Sequence, residues 1–329
     1  MRSSCSVIIA ASASAVAESQ PSDANACRLL VRTVDRKLIE EVIPPRLRKK
    51  IDRFSQVSLL AIRELQSQFS DVEKNRVGVF IGNDFAGWNY VYQQTVQMIE
   101  TRDPMQIDPY VATAWFPAAA QGEITIAHGI LGESKTFSAG YLGGGLALEY
   151  AARMVEAHAL DVAIAGGVEA PDAPVVLQAM AIEQRISAEH PAAEAVGLLA
   201  LSSSEKDGLA RMTISRPRRS AEAALNDVAE KLEGATKIRY HSASVCPHKQ
   251  DWNQTLSQTE TLLRARFGVR LETSVPAWSG MDVGSADFSL SVVEATRSAA
   301  DGIHALVLGT DFEGLHMAAA ITPIAGGAF

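Results

Sequence analysis

The sequence predicts an α/β fold in which a sheet is covered by helices on both faces and the chain forms two similar halves. Short β-prone runs alternate with longer helical runs along the 329 residues. Most predicted strands are apolar throughout, which is typical of strands buried on both faces. The second half repeats the vocabulary of the first, although no internal sequence repeat is strong. We therefore predict an N-terminal half at 1–175 and a C-terminal half at 176–329.

In the first half, apolar β-prone runs predict strands and periodic apolar patterns predict helices. The predicted strands are 5–10, 76–81, 136–139 and 161–165, and the predicted helices are 48–67, 90–100, 118–128 and 143–157. The run 7–17 has two interpretations, a buried strand or a secretory signal peptide with an Ala-Ser-Ala site. We favour the strand, because Ile8 and Ile9 are β-prone and the run is only weakly hydrophobic.

The second half gives the same alternation. The predicted strands are 197–202, 236–241 and 304–309, and the predicted helices are 221–232, 256–267 and 286–299. Between the halves, the segment 171–193 is bounded by prolines and carries polar residues. It predicts a surface connection between the two halves.

Composition excludes several classes of function. The formal net charge is −8, which disfavours nucleic-acid binding because no basic face is available to neutralise phosphates. No apolar run approaches the roughly 20 residues that cross a bilayer, so no membrane association is expected. Cys5, Cys27 and Cys246 have neither disulfide nor zinc spacing, which favours a cytoplasmic protein. We expect no metal and no cofactor.

A glycine-rich strand-to-helix turn is the strongest local motif. The segment TFSAGYLGGGLALEYA, at 136–151, places Tyr141 between Gly140 and the run Gly143 to Gly145. Such a turn lets another group approach the displayed side chain closely. The glycines alone could also cradle a phosphate, but the lysine of a P-loop and the spacing of a dinucleotide site are both absent.

Four segments, in order and spacing, resemble the N-terminal half of β-ketoacyl-ACP synthases. They are PPRLRKKIDRFSQVSLLAIREL, RVGVFIGNDFAGWNYVYQQ, HGILGESKTFSAGYLGGGLALEYA and DVAIAGGVEAP, and the resemblance covers about 44–175. It implies a thiolase-like, layered αβαβα fold with two pseudo-repeated halves. The chain is shorter than usual members, with apparent deletions after Pro174 and in the second half, so we expect a somewhat truncated version.

The resemblance also implies a degenerate catalytic site. The family uses a cysteine at the elbow, two histidines and a lysine; here Tyr141 replaces the cysteine. His241 is a candidate remnant of the first histidine, Pro276 stands at the lysine position and Met281 at the second histidine position. A phenol with an ordinary pKa near 10 is a poor acyl carrier. A chain that lacks three cooperating groups should not condense.

One further segment, Pro109 to Pro117 (PYVATAWFP), looks like the Ala-Trp-Phe stretch of chain-length factors, the ketosynthase-like β subunits of type II polyketide synthases. This resemblance implies a heterodimer with a catalytic ketosynthase subunit, or a higher assembly, and contact with an acyl carrier protein through that complex. The residues expected to line or gate the chain tunnel are Ala112, Thr113, Ala114, Trp115, Phe116 and Ala118.

Two other classes of function stay open. The chain could be a thiolase-like enzyme that acts on acyl-ACP or acyl-CoA with a nucleophile other than cysteine, or a purely structural binding partner. Cys246 and His248 lie two residues apart, and side chains at that spacing on an extended chain point to opposite sides, which disfavours a nucleophile pair. The histidines without ligand spacing are His128, His158, His190 and His304.

Overall fold

A computed structural model of the chain describes residues 4–16, 31–205, 208–243, 252–268 and 270–324. The strands are β1 (Ser4–Val16), β2 (Val31–Arg32), β3 (Val77–Gly82), β4 (Lys135–Phe137), β5 (Val162–Glu169), β6 (Ala192–Ala193), β7 (Ala195–Ser202), β8 (Ala210–Ser215), β9 (Lys237–Ala243), β10 (Arg270–Ser274), β11 (His304–Thr310) and β12 (His316–Pro323). The helices are α1 (Arg36–Val42), α2 (Pro45–Arg48), α3 (Arg53–Leu65), α4 (Trp88–Thr101), α5 (Val111–Ala114), α6 (Ala119–His128), α7 (Gly143–Glu156), α8 (Pro174–Ile182), α9 (Ala221–Asn226), α10 (Trp252–Phe267) and α11 (Asp287–Ala300).

Ten of these strands form one mixed sheet, and its order reveals the internal duplication. One half runs β4-β3-β5-β7-β1 and the other runs β10-β9-β11-β12-β8. In each half the first two pairings are parallel and the next two are antiparallel. An antiparallel pairing of β1 with β8 joins the halves. The predicted pseudo-repeat is therefore confirmed in the topology, although the sequence shows no strong repeat.

Helices α7 and α11 occupy equivalent places in the two halves and pack against each other. Each follows a single 3-10 turn, Gly140–Leu142 before α7 and Gly284–Ala286 before α11. A Cβ atom on Gly143 would lie 2.1 Å from the Ser285 hydroxyl, and one on Gly144 would lie 2.5 Å from the Ser285 carbonyl oxygen. The glycine run thus permits this close approach, and packing accounts for it without a phosphate.

The opposite face of the first half is covered by α3 and α6. Phe54, Ile62 and Ile124 are fully buried there against the side chains of β3, β5 and β7. Helices therefore lie on both faces of the sheet, as predicted. No described helix combines the length and the apolar character that crossing a bilayer requires.

Most predicted elements are present, with shifted ends. The N-terminal strand prediction is confirmed, and β1 is longer than expected because it pairs with both β7 and β8. The helix predicted at 48–67 begins only at Arg53, because the Asp52 side chain accepts the Phe54 amide and caps α3 there. The helix predicted at 221–232 is α9 followed by a separate 3-10 turn, Ala229–Leu232. Three missed strands, β8, β10 and β12, complete the sheet.

The prediction that the segment 171–193 is a surface connection is wrong. This segment contains α8, with Pro174 in the first turn, where a missing amide costs no hydrogen bond. Val176, Leu177 and Met180 are buried, because they form the inner face of that helix. Strand β7 begins after the predicted domain boundary, yet it pairs with β1 and β5. The boundary at 175/176 stays a prediction.

Candidate functional site

The elbow predicted around Tyr141 forms at the carboxyl-end edge of β3 and β5. Gly140 has φ +55°, a left-handed conformation that glycine adopts at little cost, and the chain then enters a 3-10 turn and α7. A Cβ atom on Gly82, the last residue of β3, would lie 2.1 Å from the Gly143 carbonyl carbon. The turn therefore sits directly against the strand end. Tyr141 is only 4% exposed, so it fills the position where the turn would otherwise present a reactive group.

A buried carboxylate holds the phenol of Tyr141. The Tyr141 hydroxyl donates to Asp282 Oδ2, and Arg185 Nε donates to the same oxygen at 3.2 Å. The other oxygen, Asp282 Oδ1, accepts the Gly284 amide at 2.9 Å. Asp282 is 3% exposed, so its charge requires these partners. One carboxylate thus ties the elbow to the loop that precedes α11 and to the chain that follows α8.

Arg185 lies at the centre of three aromatic rings. Its guanidinium carbon is 4.9 Å from the ring centre of Phe85, 4.9 Å from that of Tyr141 and 5.6 Å from that of Phe312. Tyr141 and Phe312 also meet edge to face, with centres 4.9 Å apart. Burial by itself lowers the pKa of Arg185. The neighbouring Asp282, Tyr141 and Asp84 raise that pKa by more than burial lowers it, so the net shift is upward. The guanidinium remains charged, which favours these cation–π contacts.

Glu169, at the end of β5, fastens the surrounding loops. Its carboxyl group accepts the amides of Asp84, Phe85 and Ser285. Glu169 is 1% exposed, and burial together with the charge of Asp84 raises its pKa well above the usual range. The loops after β3 and before α11 are thereby drawn to one point beside the Tyr141 side chain.

His241 lies within β9, between β10 and β11. It is 4% exposed, and among the described residues nothing hydrogen-bonds to its Nε2 atom. Burial, helped by Arg239, lowers the pKa of His241 to about 4. The imidazole is therefore neutral near pH 7. His241 is paired with residues of β10 and β11. The described hydrogen bonds of the Tyr141 phenol and of Asp282 run instead to each other, to Arg185 and to Gly284.

Pro276 and Met281 lie in the loop between β10 and α11. The Pro276 carbonyl accepts the Ser279 amide at 3.0 Å, and the half-buried Met281 packs beside Trp278 and Val283. Neither side chain offers an acid or a base. The polar contact to the elbow comes from the next residue along, Asp282, which the sequence analysis did not single out.

Two residues of this cluster had only a weak signal in the sequence. Arg185 falls in the segment interpreted as a surface connection, and Asp282 follows Met281 without any recognisable motif. Phe312 stands in the turn between β11 and β12.

The segment expected to gate a tunnel is largely exposed. Ala112 and Thr113 are exposed on α5, Ala114 is buried and Ala118 is half-buried. Trp115 and Phe116 are 42% and 54% exposed, and their rings meet edge to face at 6.0 Å. The segment packs on the start of α4, where a Cβ atom on Gly87 would lie 2.2 Å from the Ala114 carbonyl oxygen.

Beside this segment, an open apolar groove of about 800 Å³ runs between α4 and α8. Its lining residues are Trp88, Val91, Tyr92, Thr95, Pro174, Val175, Leu177, Gln178 and Ala181. Trp88 is 46% exposed and Val175 is 45% exposed, so large apolar side chains face solvent here. Such a surface is typical of protein–protein or ligand contact.

Other candidate groups do not assemble into a second site. Within the described ranges, no cluster of three or more His, Cys, Asp or Glu side chains has the arrangement of a metal site. His128 meets the Phe69 ring edge to face, and His190 Nδ1 lies 3.3 Å from the Gly280 carbonyl oxygen. Cys246 and His248 fall outside the described residues.

Sequence comparison identifies relatives over the first half of the chain. Residues 31–197 match the beta-ketoacyl synthase N-terminal domain family. The tetracenomycin polyketide synthase ketoacyl synthase beta subunit of Streptomyces glaucescens is 32% identical over 136 residues, or 40% of this chain and 33% of that protein. A 3-oxoacyl-[acyl-carrier-protein] synthase 2 of Staphylococcus aureus is 26% identical over 137 residues, again 40% of this chain and 33% of that protein. These alignments span about a third of each relative.

Solved structures extend the likeness of fold to nearly the whole chain. One is a type II polyketide synthase acyl-carrier protein in complex with its ketosynthase bound to the hexaketide, with a TM-score of 0.78 and 20% identity over 98% of this chain and 100% of that one. Another is a ketosynthase in complex with its chain length factor from Xenorhabdus doucetiae, with a TM-score of 0.75 and 14% identity over 97% and 98% of the two chains. The predicted thiolase-like fold is confirmed, and, with the domain match across half of its residues, the chain belongs to the β-ketoacyl synthase family.

Proposed function

We propose that this chain is a non-catalytic chain-length factor of type II polyketide biosynthesis. In this proposal it forms a heterodimer with an active ketosynthase and shapes the tunnel in which the polyketide chain grows. An acyl carrier protein reaches it through that complex, in the cytoplasm. The likeness to a ketoacyl synthase beta subunit and to a ketosynthase–chain length factor complex supports this choice within the family.

The sealed elbow is the observation that carries the proposal. At the position of the family's nucleophilic cysteine, Tyr141 is buried and bonded to Asp282, with Arg185 and Phe312 packed on its ring. A phenol held by a carboxylate is a donor, because that hydrogen bond favours its neutral form. Acyl transfer needs an activated nucleophile with an adjacent base. The carboxylate beside the phenol, Asp282, already accepts from Arg185 and from the Gly284 amide, and Pro276 and Met281 supply no base.

The exposed apolar surface supports the partner. Trp115, Phe116 and Trp88 present large side chains to solvent beside the groove between α4 and α8. Burying them would contribute roughly 25 cal/mol per Å² of apolar area. In the proposal this face meets the ketosynthase, and Ala112, Thr113, Ala114, Trp115, Phe116 and Ala118 lie at the seam.

Co-expression with a candidate ketosynthase tests the assembly. We expect a stable complex that co-purifies and whose mass by size-exclusion chromatography with light scattering exceeds that of either chain. The isolated chain should neither accept an acyl group nor condense malonyl-ACP. A fully soluble monomer that does not bind a ketosynthase with an intact Cys-His-His set would contradict the proposal.

The gate is tested by changing one side chain in the reconstituted complex. Phe116→Ala removes bulk at the proposed seam, so longer polyketide products are expected by mass spectrometry. Ile126→Ala is a matched control, since Ile126 is 78% exposed on α6, outside the proposed gate. An unchanged product profile for Phe116→Ala would remove that residue from the gate.

A further inference from the structure

We propose that Lys50 and Tyr110 form a clasp that positions the gate segment and thereby contributes to control of product length. This inference rests on the proposed function, because the clasp can affect product length only if the segment that it holds is the gate. The clasp consists of one hydrogen bond, from Lys50 Nζ to the Tyr110 hydroxyl at 2.5 Å, and one cation–π contact, with Lys50 Nζ 4.4 Å from the ring centre.

Tyr110 is the residue through which α5 is placed. It is the N-cap of α5, and its carbonyl oxygen accepts the amides of Thr113 at 3.0 Å and Ala114 at 2.8 Å. The side chain that Lys50 holds and the main chain that starts the gate helix therefore belong to the same residue. A shift of Tyr110 must move the first turn of α5 with it.

The main chain of the segment is anchored at its start, near its middle and at its end. At the start, the Tyr110 amide donates to Asp108 Oδ1 at 2.9 Å, and the Asp108 amide donates to Gln94 Oε1 of α4 at 2.7 Å. At the end, Asn83 Nδ2 donates to the Pro117 carbonyl oxygen at 2.9 Å. In the middle, the Trp115 carbonyl oxygen accepts the Gly87 amide at 3.2 Å, while the side chains of Trp115 and Phe116 stay exposed. Loosening the clasp at the start of α5 should therefore increase the range of positions that these two rings sample.

The chain offers a closely matched control. Lys49 precedes Lys50 and is exposed in the same basic turn, but its described role uses only its carbonyl oxygen, which accepts the Tyr90 hydroxyl at 3.2 Å. Lys49→Met and Lys50→Met remove the same charge from the same surface. Only Lys50→Met removes the clasp. Lys50→Arg keeps a cation and several donors, so it should preserve wild-type behaviour.

The first experiment measures hydrogen exchange in peptides that cover 109–118 of the isolated chain. Exposed cation–π contacts are weak, so we expect about two- to fivefold faster exchange in Lys50→Met than in wild type. Tyr110→Phe, which keeps the ring but loses the hydroxyl, should show a smaller increase. Exchange in Lys50→Met that equals exchange in Lys49→Met would overturn the clasp.

The second experiment measures product length in the reconstituted complex. Lys50→Met should broaden the distribution, with at least about a twofold larger share of products other than the main one, while Lys49→Met should leave it unchanged. If Phe116→Ala alters product length but Lys50→Met and Tyr110→Phe do not, the positioning role is wrong and the proposed function stands. If Phe116→Ala alters nothing, the gate fails and the positioning role fails with it.

Discussion

Tyr141 and His241, the residues that the resemblance assigns to a degenerate catalytic site, differ sharply in exposure from the segment 109–118. Tyr141 and His241 are each 4% exposed, whereas Trp115 and Phe116 are 42% and 54% exposed. Tyr141 is further held by a buried carboxylate and a buried guanidinium. The proposed gate segment is instead held by hydrogen bonds to its main chain and to Asp108, and its two large aromatic side chains stay exposed.

This contrast predicts that substitutions in the two regions have different effects. Changes at the Tyr141 cluster should act on the free energy of unfolding, because buried charges lose their partners when one member is removed. Changes at the gate segment should act on what the surface contacts and leave the isolated chain nearly as stable. The following predictions test that separation, beginning with the largest effect.

The strongest contrast is expected between Asp282→Ala and Phe116→Ala. Removing Asp282 leaves the Tyr141 hydroxyl, Arg185 and the Gly284 amide without their shared acceptor, which should lower the free energy of unfolding by about 3–5 kcal/mol. Phe116→Ala in the isolated chain should change it by less than about 0.5 kcal/mol. Urea denaturation measures both, and equal effects would remove the distinction between the two regions.

His241 should make stability depend on pH. The pKa of His241 is about 4 in the folded chain and about 6.5 in the unfolded chain. Between those pH values, therefore, only the unfolded chain carries a proton on this imidazole. The stabilisation that comes from burying a neutral His241 is therefore fully present above pH 6.5 and is lost as the pH falls toward 4. The stability difference between wild type and His241→Gln should fall by about 3 kcal/mol across that window. A difference that stays flat from pH 4 to 7 would show that His241 titrates normally.

Tyr141→Phe should have a moderate effect. The ring stays in contact with Arg185 and Phe312, but the donor to Asp282 is lost, which should lower the free energy of unfolding by about 2 kcal/mol. Tyr92→Phe in the open groove is the matched control and should change it little. If the two variants are equally stable, the phenol bond contributes nothing and the elbow is held by packing alone.

Tyr141→Cys should not produce condensing activity. In the proposed correspondence the substitution supplies the nucleophile, but Pro276 and Met281, at the lysine and second histidine positions, still supply no proton donor or acceptor. Condensation of malonyl-ACP by the purified variant is the measurement, with an intact ketosynthase as the positive control. Any turnover would mean that the site retains more of its chemistry than its side chains indicate.

Local pattern was sufficient for much of the fold. Strands β3 and β5 are fully buried and, apart from Glu169 at the end of β5, have apolar sequences, which is why the local pattern predicts them. Strand β12 was missed, although five of its residues are buried, because the alanines at 318–320 resemble a helix or a loop as much as a strand. Segment 171–193 was misinterpreted because its flanking prolines and polar residues outweighed the apolar run of α8.

The candidate site was predictable only in part, because its members are distant in sequence. The elbow itself follows from Gly140 and the glycine run, and the loss of the nucleophile follows from Tyr141. The contacts of Tyr141 with Asp282 and of Arg185 with Asp282 join residues 141 and 97 positions apart. No periodicity or spacing encodes such a pairing.

The sequence by itself determined the alternation of strands and helices, the strand-to-helix turn and the family, because each depends on residues close together in the chain. Tertiary structure decided the strand order that reveals the duplication, the contact of Gly143 with Ser285 and the enclosure of Arg185 by three rings. The physical reason is that burial and charge pairing depend on which distant segments the sheet brings together. The missing cysteine was visible in the sequence, and only the fold shows what fills its place.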